Sequence, residues 1–281
     1  GVTSDVSTAG ATASTPVIRV GPALVLTAAL GSTLGIVIAQ FLDNFGDGLL
    51  AEILGGDAVL YNNRVEFTGA SDLAWGGGFV LSLIVGFLAL LAYPTLRDTS
   101  LARLTFLWTV LHILRQALGQ AIVLPFNDDA PISLAYATFD APPGLDVVIA
   151  AGGGVGLLLI ALAAASAFLA YTPHRTLVSN AKKRLTFALW IAVIPAAASV
   201  FLAIPFFMPD SDGLVIPSLP LTAVMFLATL AAAPGTTTAK GPDDERKAPW
   251  PWGLGATLIV MLIVSLAVLE GGVSIDPRLW G

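Results

Sequence analysis

The chain has 281 residues, of which 56% are hydrophobic and 11% charged, and its mean hydropathy is +0.85. Soluble domains carry about 25% charged residues, so this composition points to a polytopic membrane protein and excludes disordered, collagenous and disulfide-scaffold classes. Cysteine is absent, which removes disulfides, thiolate zinc sites and cysteine nucleophiles together. Two histidines leave little for a His-rich metal centre, and a net charge of -6 argues against nucleic acid as a partner.

Residues 1–20, beginning GVTSDVSTAGATASTP, lack the basic-then-apolar layout of a signal peptide and read as a disordered tail. Seven apolar runs then approach or exceed the roughly 20 residues that a spanning helix needs. They lie near 22–41, 77–96, 103–125, 147–171, 185–208, 214–233 and 252–270. The expected fold is an all-α bundle of seven transmembrane helices over residues 21–272, with a short β-hairpin in the first outer loop and an outer tail at 273–281.

Charge sets the expected orientation. With the N-terminus in the cytoplasm, ten of the thirteen basic residues fall in inner segments, from Arg19 and Arg97 to Arg246 and Lys247. Arg64 and Arg278 are outside and Arg115 lies within a span, so the positive-inside rule is obeyed at every crossing. This predicts a cell-membrane protein with its C-terminus outside. The same topology puts fourteen of the nineteen carboxylates in outer segments. Three readings fit that bias: ordinary solvation with exclusion of positive charge, adaptation to high salt in a halophilic source, and cation capture.

In the first outer loop, DGLLAEILGG (47–56) has helical spacing and ends in a Gly-Gly stop. AVLY and RVEFT then flank Asn62-Asn63, dihedral-permissive residues suited to a tight hairpin turn. The second outer loop, PFNDDAPISLAYATFDAPPGLD, reads as a cap over the bundle. The fourth run contains Gly152, Gly153, Gly154 and Gly156, which predicts close packing inside the bundle. Pro195, Pro205, Pro217 and Pro220 predict kinks or ends in runs five and six.

The third run carries the most polar chemistry. Thr105, Thr109, His112, Gln116 and Gln120 recur every three or four residues and share one helix face, with Arg115 beside them. Ionisable groups at membrane depth are expensive and face a bundle interior or a wet cavity. The run is therefore expected at the centre. Its cluster reads either as a buried hydrogen-bond network, with Arg115 paired to an acidic loop residue such as Asp128, or as a polar cavity for a ligand, a headgroup or a proton.

Residues 23–91 run from an apolar helix through LDNFGDGLLAEILGG and a hairpin into GGGFVLSLIVGFLALLA. This order resembles the core of the intramembrane site-2 metalloproteases, where an apolar helix enters an HExGH motif followed by a hairpin and a second, Gly-containing helix. Aligned on Gly46 and Gly55-Gly56, the resemblance puts the family's two zinc histidines at Asp43 and Asp47 and its glutamate at Asn44. It puts the third ligand near Pro125, Asn127, Asp128 and Asp129. Asp43, Asp47 and Asp128 are thus the metal-ligand candidates that the resemblance implies. A carboxamide at Asn44 cannot act as a general base, so the resemblance implies a catalytically inactive relative.

Retinal chemistry is rejected because all four lysines lie in inner loops and none in a span. Nucleotide-binding and nucleophile-elbow motifs lack their strand–turn–helix context. Haem ligation by His112 and His174 is disfavoured because the second lies in a basic loop. No cofactor is expected. The sequence therefore predicts a non-catalytic membrane protein, an accessory or scaffold subunit or an inactive protease-like protein, in contact with lipid and with a partner membrane protein or a second copy. A transporter or ligand-binding protein using the polar face of the third run is the alternative, and a metal-dependent membrane hydrolase the third reading.

Overall fold

The computed structural model describes residues 20–96, 100–208, 212–236 and 241–275, with the backbone alone for 212–219. Helix α1 (Pro22–Ile53) opens with a proline in its first turn, where a missing N–H costs nothing. It then runs for 32 residues. The carboxylates at 43 and 47, expected in a loop, are thus inside a helix, and 47–56 continues that helix rather than starting a new one. No proline interrupts the segment, and buried side chains at 43, 44 and 47 hold it against its neighbours.

Strands β1 (Asp57–Leu60) and β2 (Val65–Thr68) form the hairpin that follows, with Tyr61 N–H donating to the Arg64 carbonyl at 2.8 Å. Asn62 and Asn63 occupy the turn without any left-handed residue, because four residues between the paired Leu60 and Val65 relax the demand that a two-residue turn makes. A third strand, β3 (Val273–Ser274), adds to the other side of β1 and gives the order β2-β1-β3. Residues 273–275, assigned by sequence to a terminal tail, therefore belong to a sheet, and Ile275 is buried with Ala51, Ala58, Leu60 and Val65.

The remaining helices are α2 (Gly77–Ala92), α3 (Leu101–Val123), α4 (Pro131–Ala137), α5 (Leu145–Leu169), α6 (Ala181–Ala188), α7 (Ile194–Ala203), α8 (Asp212–Ala232) and α9 (Trp252–Val264). A wide π turn at Leu189–Val193 joins α6 to α7 just before Pro195, whose missing N–H leaves the Ile191 carbonyl without its usual donor. A 3₁₀ turn at Ile204–Phe207 ends the segment at Pro205. Among the described residues six helical segments are long and apolar enough to cross a bilayer: Pro22–Ile53, Asp72–Thr95, Leu101–Val123, Leu145–Leu169, Ala181–Phe207 and Trp252–Leu269. The apolar helix Pro220–Gly235 is shorter. The protein is membrane-embedded and mainly helical, with one small sheet.

Helix α3 is central and packs on α1, α2, α5 and α8. Leu104, Trp108, Val110 and Leu114 are fully buried, and Trp108 sits 4.9 Å from the Phe168 ring and 5.0 Å from Phe226. Helix α5 packs closely on α3 through Gly153 and Gly156, as its glycines predict, but lies at the edge of the bundle rather than inside it. Gly153 faces the Leu118 carbonyl of α3, but Gly152 and Gly154 face open space, and Val155, Leu158 and Leu159 are exposed on the same helix. Only one side of that glycine run meets protein; the other is left to lipid.

Candidate functional site

A pocket of about 530 Å³ opens where the ends of α1 and α3 meet the hairpin and the α3–α4 loop. Its floor is α1: Gln40, Asp43, Asn44 and Asp47 recur at helical spacing and turn one face inward. Arg115, Gln116 and Gln120 of α3 form the facing wall. Asn63, Arg64, Val65 and Trp75 close it from the hairpin side, and Asn127 and Asp129 stand at its rim.

Glycine backbone makes this convergence possible. A Cβ at Gly46 would lie 2.6 Å from the Gly77 carbonyl oxygen, and one at Gly78 would lie 2.5 Å from Asp43 Oδ1. Bare backbone on both helices lets the first turn of α2 rest directly on α1. Asp47 then reaches the Gly78 N–H at 2.6 Å, satisfying one of the donors that a helix N-terminus leaves without an internal partner.

Asp43 is held by two carboxamides. Gln116 Nε2 donates to Oδ2 at 3.0 Å and Gln120 Nε2 to Oδ1 at 2.5 Å. Gln116 in turn accepts from Arg115 Nη2 at 3.4 Å, and Arg115 Nη1 donates to Thr222 Oγ1 of α8 at 3.1 Å. A relay thus runs from α8 through α3 to α1. Gln40 Nε2 donates to Asn44 Oδ1 at 3.1 Å, which fixes the carboxamide that stands at the glutamate position of the resemblance.

Of the residues singled out by sequence, Arg115, Gln116, Gln120, Asp43 and Asp47 come together here. Arg115 is served by Thr222 and Gln116 rather than by the expected Asp128. Asp128 is exposed and does not line the pocket; its neighbour Asp129 does. Thr109 turns its hydroxyl to the Thr105 carbonyl at 3.1 Å and stands apart from the pocket.

His112 also belongs to a different place. It is fully buried, stacked 5.8 Å from Trp108, with Nε2 2.8 Å from Ser32 Oγ. Ser32 Oγ is 2.7 Å from Ser199 Oγ, which donates to the Ala196 carbonyl at 2.8 Å. One hydrogen per hydroxyl fixes the direction: Ser199 spends its hydrogen on Ala196, Ser32 donates to Ser199, and His112 Nε2–H must donate to Ser32. His112 Nδ1 is left as a buried acceptor without a partner. This network locks α1, α3 and α7 together, and none of its three side chains lines the pocket.

Ser32, Ser199 and Thr222 carried no sequence signal, being small hydroxyl residues in apolar runs. Asp43 and Asp47 carried one: their helical register with Gln40 and Asn44 extends the first apolar run past 41.

The residues present do not fit zinc. Zinc sites draw three or four ligands from thiolates, imidazoles and carboxylates, whereas the floor of the pocket offers the two carboxylates Asp43 and Asp47 with no imidazole or thiolate beside them. Among the described residues no group of three His, Cys, Asp or Glu side chains is placed to hold a metal ion. No family model matches the chain, and no curated protein or solved structure matches it either.

Proposed function

We propose that this is a non-catalytic, protease-like membrane protein that binds a small molecule in the pocket between α1, α3 and the hairpin. The observation that carries the reading is the pocket itself. Its volume lies within the roughly 300–1,000 Å³ range of small-molecule sites, and its walls combine a few convergent polar groups with apolar surface. The resemblance supports the first half of the reading: a helix, hairpin and glycine-started second helix surround Asp43, Asn44 and Asp47. Hydrolysis by the metalloprotease route needs a carboxylate at position 44 to take a proton from water, and Asn44 has none to offer. The pocket favours ligand binding over a scaffold role resting on protein contacts alone.

The membrane topology belongs to the same proposal. Seven crossings, with the N-terminus in the cytoplasm and the sheet outside, put the pocket at the extracellular end of the bundle. The basic bias of the opposite loops supports this orientation.

The test is native mass spectrometry of the full chain released from detergent, followed by thermal unfolding with the molecule recovered. A retained small molecule that raises the melting temperature of wild type, and fails to raise that of Gln116→Leu, is the expected result. Wild-type protein that carries nothing and responds to no small molecule sinks the reading. Cleavage of transmembrane peptides in added zinc would overturn its non-catalytic half.

A further inference from the structure

Building on the ligand-binding reading, we propose that the pocket receives an organic molecule through a single protonated amine, which docks on Asp47. Three of the four carboxylate oxygens at the pocket floor already accept an N–H. Both Asp43 oxygens are taken by Gln116 and Gln120, and Asp47 Oδ1 by Gly78 N–H. Asp47 is only 5% exposed, lines the pocket, and its Oδ2 has no hydrogen-bond partner among the described residues. Gln120 Oε1 is buried and likewise without a partner. Both unserved atoms are acceptors. A buried acceptor left without a donor is destabilising; Gln120 Oε1 is one, and the Asp47 carboxylate lines the same pocket, so the site calls for N–H groups.

Charge points the same way. Two buried carboxylates, Asp43 and Asp47, share the site with one buried guanidinium, Arg115, whose relay through Gln116 ends on Asp43; the lining adds Arg64, paired with Glu66, and Asp129. Asp47 forms no ion pair among the described residues. Buried charges are normally paired, and one positive charge would complete the set.

Three features favour an organic cation over a bare metal ion. The volume of about 530 Å³ is far larger than an ion needs. Among the described residues no third His, Cys, Asp or Glu joins Asp43 and Asp47 to complete a metal site. Trp75, packed 4.4 Å from the Phe67 ring, lines the pocket together with Val65, Val123 and Leu221, surface suited to an aliphatic body. The amine can be carried by a free small molecule or by an aminolipid headgroup.

The experiment is thermal unfolding of the full chain in detergent with n-butylammonium, n-butanol and butyrate, and in nanodiscs of phosphatidylglycerol with and without phosphatidylethanolamine. The expected result is saturable stabilisation by butylammonium, by the ethanolamine lipid, or by both, which separates the two sources of the amine. Asp47→Asn should weaken that response about ten-fold or more, the loss of one charge-assisted hydrogen bond. Should that variant not fold, competition between butylammonium and ethanolammonium, read by saturation-transfer NMR on wild type, makes the same test. Equal or greater stabilisation by butanol or butyrate overturns the amine while leaving the pocket as a ligand site. Stabilisation confined to zinc or calcium and abolished by a chelator also overturns it. No response to any of these probes sinks both the amine and the pocket reading.

Discussion

His112 shows how counting hydrogens assigns a role that residue type leaves open. Its Nε2–H donates to Ser32, so the ring is held as the Nε2–H tautomer with Nδ1 bare against Trp108 and Phe226. Nitrogen-15 NMR of histidine-labelled protein should show that neutral tautomer. An Nδ1–H resonance would mean that the serine relay runs the other way. Ser32→Ala removes the acceptor and strands a buried N–H, with an expected loss of about 1–3 kcal/mol in denaturant unfolding. The sequence placed His112 on one stripe with Gln116 and Gln120, and the angular register is real. A helical wheel has no depth coordinate, however. From residue 112 to 120 the helix rises about 12 Å, enough to pass from the packed middle of the bundle to the pocket at its end.

Helix-to-helix approach at this site depends on glycine, and glycine alone did not reveal where approach occurs. The run at 152–156 drew attention because it is dense, yet a Cβ at Gly152 or Gly154 would meet nothing within 4 Å, and Gly153 and Gly156 alone of the run face α3. The isolated Gly46 lies against α2 backbone, where a Cβ would stand 2.6 Å from the Gly77 carbonyl and 2.7 Å from the Gly78 Cα. Backbone on the far side cannot rotate away as a side chain can. Gly46→Ala is therefore expected to destabilise by about 1–3 kcal/mol, the usual range for overpacking. It should also weaken any pocket ligand, because it separates Asp47 from Gly78. Gly154→Ala should be neutral or gain about 0.5–1 kcal/mol through helix propensity. Unfolding of both variants in mixed micelles checks the pair, and equal effects would refute the assigned packing. The hairpin was legible because Asn62-Asn63 and the flanking alternation are local signals. Strand β3 was not, because its partner β1 lies near the other end of the chain and two residues carry no periodicity.

Hydrogen bonds near the loops fix which ends of the helices share a side, and this bears on the number of crossings. Asn62 of the hairpin donates to the Met208 carbonyl at 2.8 Å, so α7 finishes beside the sheet. Arg184, at the start of that same segment, donates to the Pro234 carbonyl at 2.6 Å, so α8 finishes at the opposite end. Arg175 N–H donates to the Pro242 carbonyl at 3.0 Å, which keeps the chain on that side ahead of α9. Ser265 Oγ donates to the Phe206 carbonyl at 3.1 Å and β3 pairs with β1, bringing the chain back to the sheet. A chain that starts opposite the sheet and ends in it crosses an odd number of times. Six long helices alone would return it to its starting side, so the seven crossings proposed above count the shorter apolar helix α8 as the seventh. Under the orientation proposed above, reporter fusions after Thr99 and Lys240 should read as cytoplasmic, and fusions after Asp140 and Gly281 as external. A cytoplasmic signal after Gly281 together with an external one after Asp140 would break the parity. It would remove α8 from the membrane and, with it, the Thr222 anchor that holds Arg115 at the pocket wall.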